Sequence, residues 1–211
     1  MDWACGLMKV LVLAAHPVME ASVVTRKLLA GVRREPGISV VDLYDTYPDF
    51  NIDVAREQKR LEASDVVIFQ HPFYWYSTPA IVKEWTDLVL EHGWAYGKEG
   101  RALEGKFWMN TVSTGGSADA YGETGKNRYS VPEFLAPIAQ SASLCRMTYL
   151  PPFVVFEGRR LERTELAEQA ALYKNLLTGL RDNRVDPKAL ARYRLANNAA
   201  GKLYGVKGGD E

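Results

Sequence analysis

The sequence has little cysteine, no net charge and no long apolar run, and each absence excludes a class of protein. Its 211 residues include two cysteines, Cys5 and Cys145, whose spacing can build neither a disulfide framework nor a zinc site. Such sparse cysteine is typical of the reducing cytoplasm. Basic and acidic residues both number 26, so the zero formal charge gives no sign of nucleic-acid binding or of a basic membrane patch.

Targeting, metal and nucleotide motifs are absent as well. No run approaches the roughly 18 apolar residues that cross a bilayer, and residues 1–7 do not resemble a signal peptide. We therefore expect a soluble protein. Asp49 and Asp53 are too few ligands for a metal site, so none is predicted. The loop after the first apolar run contains neither GxGxxG nor GxxxxGK[ST], which excludes the dinucleotide fingerprint and the triphosphate-binding loop.

Apolar runs alternate with segments of helical periodicity. The runs are continuously apolar, as in strands buried on both faces, and imply a parallel sheet with helices on both sides. The predicted fold is α/β: a doubly wound, flavodoxin-like sheet of five parallel strands in the order 2-1-3-4-5. The predicted strands are residues 9–15, 38–44, 66–70, 107–112 and 153–156; the predicted helices are near residues 24–32, 52–63, 80–91, 131–143 and 162–181.

The domain is predicted to cover residues 8–181. Residues 1–7 form an N-terminal extension, and residues 182–211 form a C-terminal tail without strand signals. Within that tail, Gly201 to Glu211 is predicted to be a loose end, because chain termini are poorly ordered unless they dock.

Four aromatic residues follow the third predicted strand, in the loop from Phe73 through Tyr74 and Trp75 to Tyr76. Open α/β sheets bind ligands at the carboxyl ends of their strands. Rings left in water cost free energy, so a loop that concentrates them is expected to cover something flat and apolar.

Two further loops are expected at the same edge of the sheet. Ser22 and Thr25 lie at a helix start, where free N–H groups favour a phosphate, although Ser22 is also a good helix cap. The loop after the fourth strand contains Thr114-Gly115-Gly116-Ser117, whose N–H groups can donate to a flat ligand. A flexible connection is the alternative interpretation of this loop.

Several longer motifs then resemble a known family, the flavodoxin-like NAD(P)H:quinone oxidoreductases related to DT-diaphorase. The resemblance covers about residues 8–180 and is strongest to the ancillary quinone reductase subunits of glutathione-regulated potassium-efflux systems. The motifs that carry it are Leu43–Asp53, Gln70-His71-Pro72, Trp75-Tyr76-Ser77, Lys83 with Trp85 and Asp87, and His92–Gly97.

The resemblance implies an FMN-dependent enzyme, with FAD as a larger alternative, that transfers two electrons from NAD(P)H to quinones by a ping-pong mechanism. One group of residues would hold the phosphate and ribityl chain, a second would line the ring, and a third would donate N–H groups. The first group is His16 with Ser22, Val23, Val24 and Thr25; the second is Phe73, Tyr74, Trp75 and Tyr76; and the third is Thr114, Gly115, Gly116 and Ser117.

The proton chemistry departs from the family pattern. Tyr121 matches the family's catalytic tyrosine, with a simple lid role as the alternative, but Asn127 occupies the position of a family histidine. Asparagine cannot take up a proton near pH 7. His71 is interpreted as structural, with a direct ligand role as the alternative.

The resemblance also implies a homodimer and a cytoplasmic protein that can associate peripherally with the inner face of the membrane. A regulatory subunit of a potassium-efflux membrane protein is the competing function. A one-electron carrier is disfavoured, because such carriers use strong negative charge to guide docking.

Overall fold

The computed structural model describes residues 6–205, so Cys5 and most of the N-terminal extension lie outside the described part. Every strand pairing in the sheet is parallel, and the order is β2-β1-β3-β4, with β5 and β6 both beside β4. This confirms the predicted flavodoxin-like topology. The strands are β1 Val10–Ala14, β2 Ile38–Asp42, β3 Val66–Pro72, β4 Phe107–Ser113, β5 Thr148–Tyr149 and β6 Phe153–Val155.

The strand register brings the predicted binding loops to one edge. Ala14 of β1 is level with Gln70 of β3, and Pro72 of β3 is level with Ser113 of β4. Ser113 is in turn level with Val155 of β6. The loops after β1, β3, β4 and β6 therefore leave the sheet side by side.

Helices cover both faces of the sheet. α1 and α7 pack on one face, against Val12, Ile68 and Met109, whereas α3, α4 and α6 contribute to the core on the other face. The last long helix carries an apolar stripe at helical spacing, and its members are all buried: Leu166, Ala170, Tyr173, Leu177 and Leu180. The helices are α1 Val24–Val32, α2 Leu43–Thr46, α3 Val54–Glu62, α4 Ala80–Val89, α5 Val131–Phe134, α6 Ala136–Leu144, α7 Arg163–Arg181 and α8 Pro187–Leu190.

Two predicted element boundaries are corrected by local hydrogen bonding and proline. The second strand ends at Asp42 rather than Tyr44, because the Asp42 carboxylate accepts the N–H groups of Tyr44 and Asp45 and caps α2. The helix predicted over residues 131–143 is two helices, α5 and α6. Leu135 between them departs from helical backbone angles, and Pro137 lies in the first turn of α6, where its missing N–H is tolerated.

The predicted face of α4 and the fifth strand also need correction. Helical spacing places Leu88 on one face with Ile81 and Trp85, but Leu88 is 39% exposed, and Val89 is buried instead. The fifth position of the sheet is shared by β5 and β6, which pair with opposite ends of β4. Pro151 and Pro152 separate the two strands and cannot donate ladder hydrogen bonds.

The described part of the C-terminal segment, residues 182–205, packs on the α1 and α7 face. Val185, Leu190, Ala196 and Tyr204 are buried there, so the loose end predicted from Gly201 is wrong as far as Tyr204. Whether residue 181 bounds an independent domain stays a prediction. Within residues 6–205, no helix is both long and apolar enough to cross a membrane.

The same segment also covers the free edge of β6. The carboxamide of Asn197 accepts the Val154 N–H at 2.8 Å and donates to the Val154 carbonyl at 3.1 Å. The N–H of Ala196 donates to the carbonyl of Pro152 at 2.9 Å. A side chain thus satisfies backbone groups that a further strand would otherwise pair with.

Candidate functional site

A cavity of about 560 Å³ opens at the carboxyl edge of the sheet, within the roughly 300–1,000 Å³ typical of small-molecule sites. The loops after β1, β3, β4 and β6 all contribute to its wall. The lining residues are His16, Val18, Ala21, Ser22, Val23, Val24, Pro72, Phe73, Tyr74, Ser113, Thr114, Gly115, Gly158 and Arg159.

The loop after β1 supplies the start of α1 to this cavity. The Ser22 hydroxyl accepts the Thr25 N–H at 3.1 Å, so Ser22 caps the helix and lines the cavity at once. Thr25 is buried, and its carbonyl accepts the side-chain N–H of Gln70 at 3.0 Å. Thr25 therefore joins α1 to β3, and it does not line the cavity.

His16 begins the same loop and is held by the backbone. Its Nδ1 accepts the Val18 N–H at 3.2 Å, and its ring meets Tyr74 edge-on with a centroid distance of 6.3 Å. Partial burial lowers the pKa of His16 and the nearby Arg159 lowers it further, whereas the Asp42 carboxylate opposes the shift. We therefore expect a neutral imidazole near pH 7.

The glycine loop after β4 is fixed from both sides. The Thr114 N–H donates to the Val155 carbonyl at 2.9 Å, and the Thr114 hydroxyl donates to the Gly116 carbonyl at 2.8 Å. A Cβ on Gly115 would meet no protein atom within 4 Å, whereas one on Gly116 would lie 3.2 Å from the Tyr121 ring. Gly115 therefore leaves an open space on the cavity wall, and Tyr121 covers Gly116.

The loop after β6 adds two residues that sequence reasoning missed. Gly158 packs so closely on α1 that a Cβ would lie 2.5 Å from the Val24 side chain. Arg159 is exposed at the cavity and has no ion pair within residues 6–205. The basic pair Arg159-Arg160 in the loop after the last strand was a usable signal, since ligands bind at the carboxyl edge of such sheets.

The aromatic loop is a tight turn. Tyr74 and Ser77 exchange backbone hydrogen bonds at 3.1 and 2.9 Å, and between them Trp75 and Tyr76 have φ angles of 49° and 63°. Two successive positive φ angles indicate a type I′ turn, which bulky residues rarely adopt. The turn directs Trp75 away from the cavity and leaves it 94% exposed, while Phe73 and Tyr74 line the wall.

A cluster of aromatic rings joins this turn to the segment after the glycine loop. Tyr76 stacks on Phe134 with a centroid distance of 4.9 Å, and its hydroxyl donates to the Asn127 carboxamide oxygen at 3.3 Å. Tyr121 packs between Phe73 and Phe156, at centroid distances of 6.0 and 5.9 Å. Asn127 thus positions Tyr76, and Phe134 and Phe156 are members that sequence reasoning did not identify.

Partial burial raises the pKa of Tyr121, although a hydrogen bond with Thr114 opposes the rise. Its phenol therefore stays protonated near pH 7. Four further predicted site residues do not line the cavity: Tyr76 lies in the turn, Gly116 and Ser117 lie in the glycine loop, and Tyr121 lies in the segment after that loop.

His71 belongs to a buried chain of hydrogen bonds beneath the cavity. Its Nδ1 contacts the Pro72 carbonyl at 3.0 Å, and its Nε2 contacts the Asn110 amide nitrogen at 2.9 Å. The Tyr149 hydroxyl donates to the carbonyl oxygen of Asn110 at 3.0 Å. Burial lowers the pKa of His71 to about 4, so the ring is neutral and its two contacts assign the Nδ1–H tautomer. These contacts agree with the structural role predicted for His71.

The donor set suits a flat, phosphorylated ligand. The cavity joins a helix start and a guanidinium at one end to aromatic rings and a glycine loop at the other. Within the described residues, no three histidine, cysteine, aspartate or glutamate side chains gather where they could hold a metal.

The fold and this crevice define a doubly wound α/β protein with a flavin-type binding edge. The chain belongs to the family described as Flavodoxin-like fold, which matches residues 8–177.

Three relatives illustrate the family. The glutathione-regulated potassium-efflux system ancillary protein KefG of Pectobacterium carotovorum is 45% identical over 165 residues, which cover 78% of this chain and 90% of that protein. General stress protein 14 of Treponema denticola, solved in complex with FMN, has a TM-score of 0.78 and 38% identity over 82% of this chain and 99% of its own. An NADPH-quinone reductase from P. pentosaceus has a TM-score of 0.72 and 27% identity over 80% and 97%.

Proposed function

We propose that this protein is an FMN-dependent NAD(P)H dehydrogenase that reduces quinones by two-electron transfer. The observation that carries the proposal is the cavity itself, which unites an anion-binding helix start, aromatic rings and an open glycine wall at one sheet edge. FMN is preferred over FAD because a relative with 38% identity was solved with FMN.

The phosphate of FMN would bind at the α1 end of the cavity. Ser22 and the N–H groups that begin α1 would donate to it, and Arg159 would supply a positive charge. His16, Val23 and Val24 line the same end and would contact the ribityl chain. The buried Thr25 would act through its hydrogen bond to Ser22.

The flavin ring would lie against Phe73 and Tyr74, with the N–H of Gly115 on its polar edge. Thr114, whose own N–H is bonded to Val155, would line the wall beside it. Trp75, Tyr76, Gly116 and Ser117 remain predicted contacts. They lie next to the lining residues, and they would reach the ring only through movement of the tight turn or the glycine loop.

Bound FMN would supply a two-electron redox centre shared in turn by the nicotinamide and the quinone. The aromatic turn and the segment around Tyr121 would stack the reactants and exclude water. The Tyr121 phenol, protonated near pH 7, would donate a hydrogen bond to charge that develops on the acceptor. Asn127 would keep Tyr76 in place and would hold no transferable proton.

The purified protein tests this proposal directly. We expect a yellow protein that retains FMN and oxidises NAD(P)H faster when a quinone is added. Parallel lines in initial-velocity plots are expected for one shared site, and intersecting lines would refute the ping-pong scheme. A colourless protein that also fails to bind added FMN would refute the whole assignment.

A second candidate is a regulatory subunit of a potassium-efflux membrane protein, supported by the 45% identity to a protein of that description. We place this protein in the cytoplasm, as a homodimer, with peripheral association at the inner face of the membrane if such a partner exists. Redox activity without any effect on a reconstituted efflux protein would favour the reductase alone.

A further inference from the structure

One exposed side of α1 carries four basic residues that the neutral composition conceals. Arg26 and Lys27 lie near the start of the helix, and Arg33 and Arg34 lie at its end. All four line a groove of about 880 Å³ that runs along α1. Arg159, in the adjacent cavity, extends the positive region toward the sheet edge.

Several basic residues elsewhere in the described part of the chain form ion pairs, and these four do not. Arg60, Arg101 and Lys174, for example, each pair with a glutamate, but the groove residues form no ion pair within residues 6–205. Among the described residues that line the groove, Glu20 alone is acidic, and Arg26 donates to its backbone carbonyl. The groove therefore has an excess of positive charge.

One further carboxylate, that of Asp42, interacts with Arg33 electrostatically. It accepts two backbone N–H groups through one oxygen at the cap of α2, and within residues 6–205 it forms no ion pair with the guanidinium. Arg33 remains available to an external anion.

The groove combines this charge with an apolar floor and a regular spacing. Met19, Leu29 and Leu166 form the floor, and the small Ala30 separates the two basic pairs. Arg26 and Arg33, the C-cap residue of α1, are seven positions apart, which corresponds to about 10.5 Å along the helix axis, and Arg34 follows the end of the helix. An acidic helix with carboxylates seven residues apart presents the matching spacing and can place an apolar stripe on the floor.

We propose that this groove binds an acidic, amphipathic helical segment of a partner protein. A lipid surface is the weaker fit, because a concave groove with an apolar floor holds its cations back from a flat layer of phosphates. The proposal goes beyond the reductase activity and does not depend on it. The groove shares Ala21, Ser22 and Val23 with the flavin-type cavity, so a bound partner would lie beside its phosphate end.

A designed peptide probe tests the proposal on the full-length protein. The probe is a fluorescein-labelled helical peptide with pairs of glutamates seven residues apart and leucines between them, and its control is a scrambled peptide of the same composition. Fluorescence anisotropy should show tighter binding of the ordered peptide. The variant R33Q/R34Q should bind it about tenfold more weakly, because two charge contacts are lost while helix propensity is kept.

The matched control is K188Q/R192Q, which removes two exposed charges from residues that do not line the groove. It should bind the ordered peptide within about twofold of the parent protein, since distant exposed charges are screened. FMN content and quinone reduction, measured on the same samples, should be the same for both variants, and they report on the proposed enzyme separately.

Three results would overturn the proposal. Equal binding of the ordered and scrambled peptides would reduce the groove to a non-specific polyanion surface. An equal loss of affinity for the ordered peptide in K188Q/R192Q would show that binding depends on long-range charge and not on the groove. Binding to vesicles of anionic phospholipid without binding to the ordered peptide would assign the patch to a membrane surface instead.

Discussion

Two glycines lie on the cavity wall, and the space around them predicts opposite outcomes for the same substitution. A Cβ on Gly158 would lie 2.5 Å from the Val24 side chain, whereas one on Gly115 would meet nothing within 4 Å. Neither glycine has a positive φ angle, so alanine is allowed by the backbone at both positions. Gly158→Ala should therefore damage the fold, and Gly115→Ala should damage only ligand binding.

The expected magnitudes follow from these distances. Ordinary contacts begin near 3.4 Å, so Gly158→Ala requires a shift of nearly 1 Å, and valine in a helix has little χ1 freedom to give way. Overpacking of this kind costs about 1–3 kcal/mol, partly offset by about 0.4–1 kcal/mol from the less flexible unfolded chain. We expect a net loss of about 1–2 kcal/mol for Gly158→Ala and no loss for Gly115→Ala.

Urea unfolding of the FMN-free proteins measures the stability, and FMN titration measures the affinity. Gly115→Ala should weaken FMN binding by about tenfold, because its methyl group takes space in the cavity. Val24→Ala removes the atoms that clash, so the double variant with Gly158→Ala should be more stable than the sum of the single effects by about 1 kcal/mol. Additive effects, or an unchanged FMN affinity in Gly115→Ala, would refute this account of the wall.

Three further predictions concern the charge, the buried imidazole and the sheet edge. Arg159→Gln should weaken FMN binding about tenfold and leave riboflavin binding unchanged, because only FMN has a phosphate. The control is Arg160→Gln, because the parent Arg160 side chain pairs with a glutamate. Equal losses of FMN and riboflavin affinity in Arg159→Gln would contradict the assignment. Burial lowers the pKa of His71 to about 4 from 6.5, so the neutral ring adds stability above pH 6.5 that is lost as the pH falls toward 4. Lowering the pH from 7 to 5 should therefore reduce the free energy of unfolding, measured in urea, by about 2 kcal/mol through this group. His71→Gln should remove that part of the pH dependence. Asn197→Ala should lower the unfolding free energy by about 2 kcal/mol through two lost hydrogen bonds, whereas the exposed Asn198→Ala should be neutral, and equal effects would argue against the edge contact.

Periodicity and apolar runs were sufficient to predict the sheet order, because strands buried on both faces leave a strong signal. The boundaries of the elements were predicted less accurately, because local hydrogen bonds compete with the apolar pattern. The apolar Leu43 continued the strand pattern, but the carboxylate of Asp42 captured the next N–H groups and started a helix. Thr148–Tyr149 is too short to show a period, and Pro151 and Pro152 divide it from the rest of the fifth position.

The convergence of the three binding loops was also predictable, since parallel strands deliver their loops to one edge. The orientation of individual side chains was not. Trp75 is directed outward by two positive φ angles that aromatic composition does not reveal. The basic groove on α1 could not be predicted from the composition either, because a zero net charge averages over surfaces of opposite sign.

The edge contact of Asn197 has a consequence for how the chain is made. The strands that form the sheet precede this residue in the chain, so during synthesis the rim of β6 emerges from the ribosome before its cover does. An unpaired strand edge pairs readily with other extended chains, so the chain is exposed to aggregation at β6 until Asn197 has docked. Once Asn197 has docked, the backbone groups of Val154 are no longer free to pair with a neighbouring molecule, so an assembly at this part of β6 must form through side-chain surfaces.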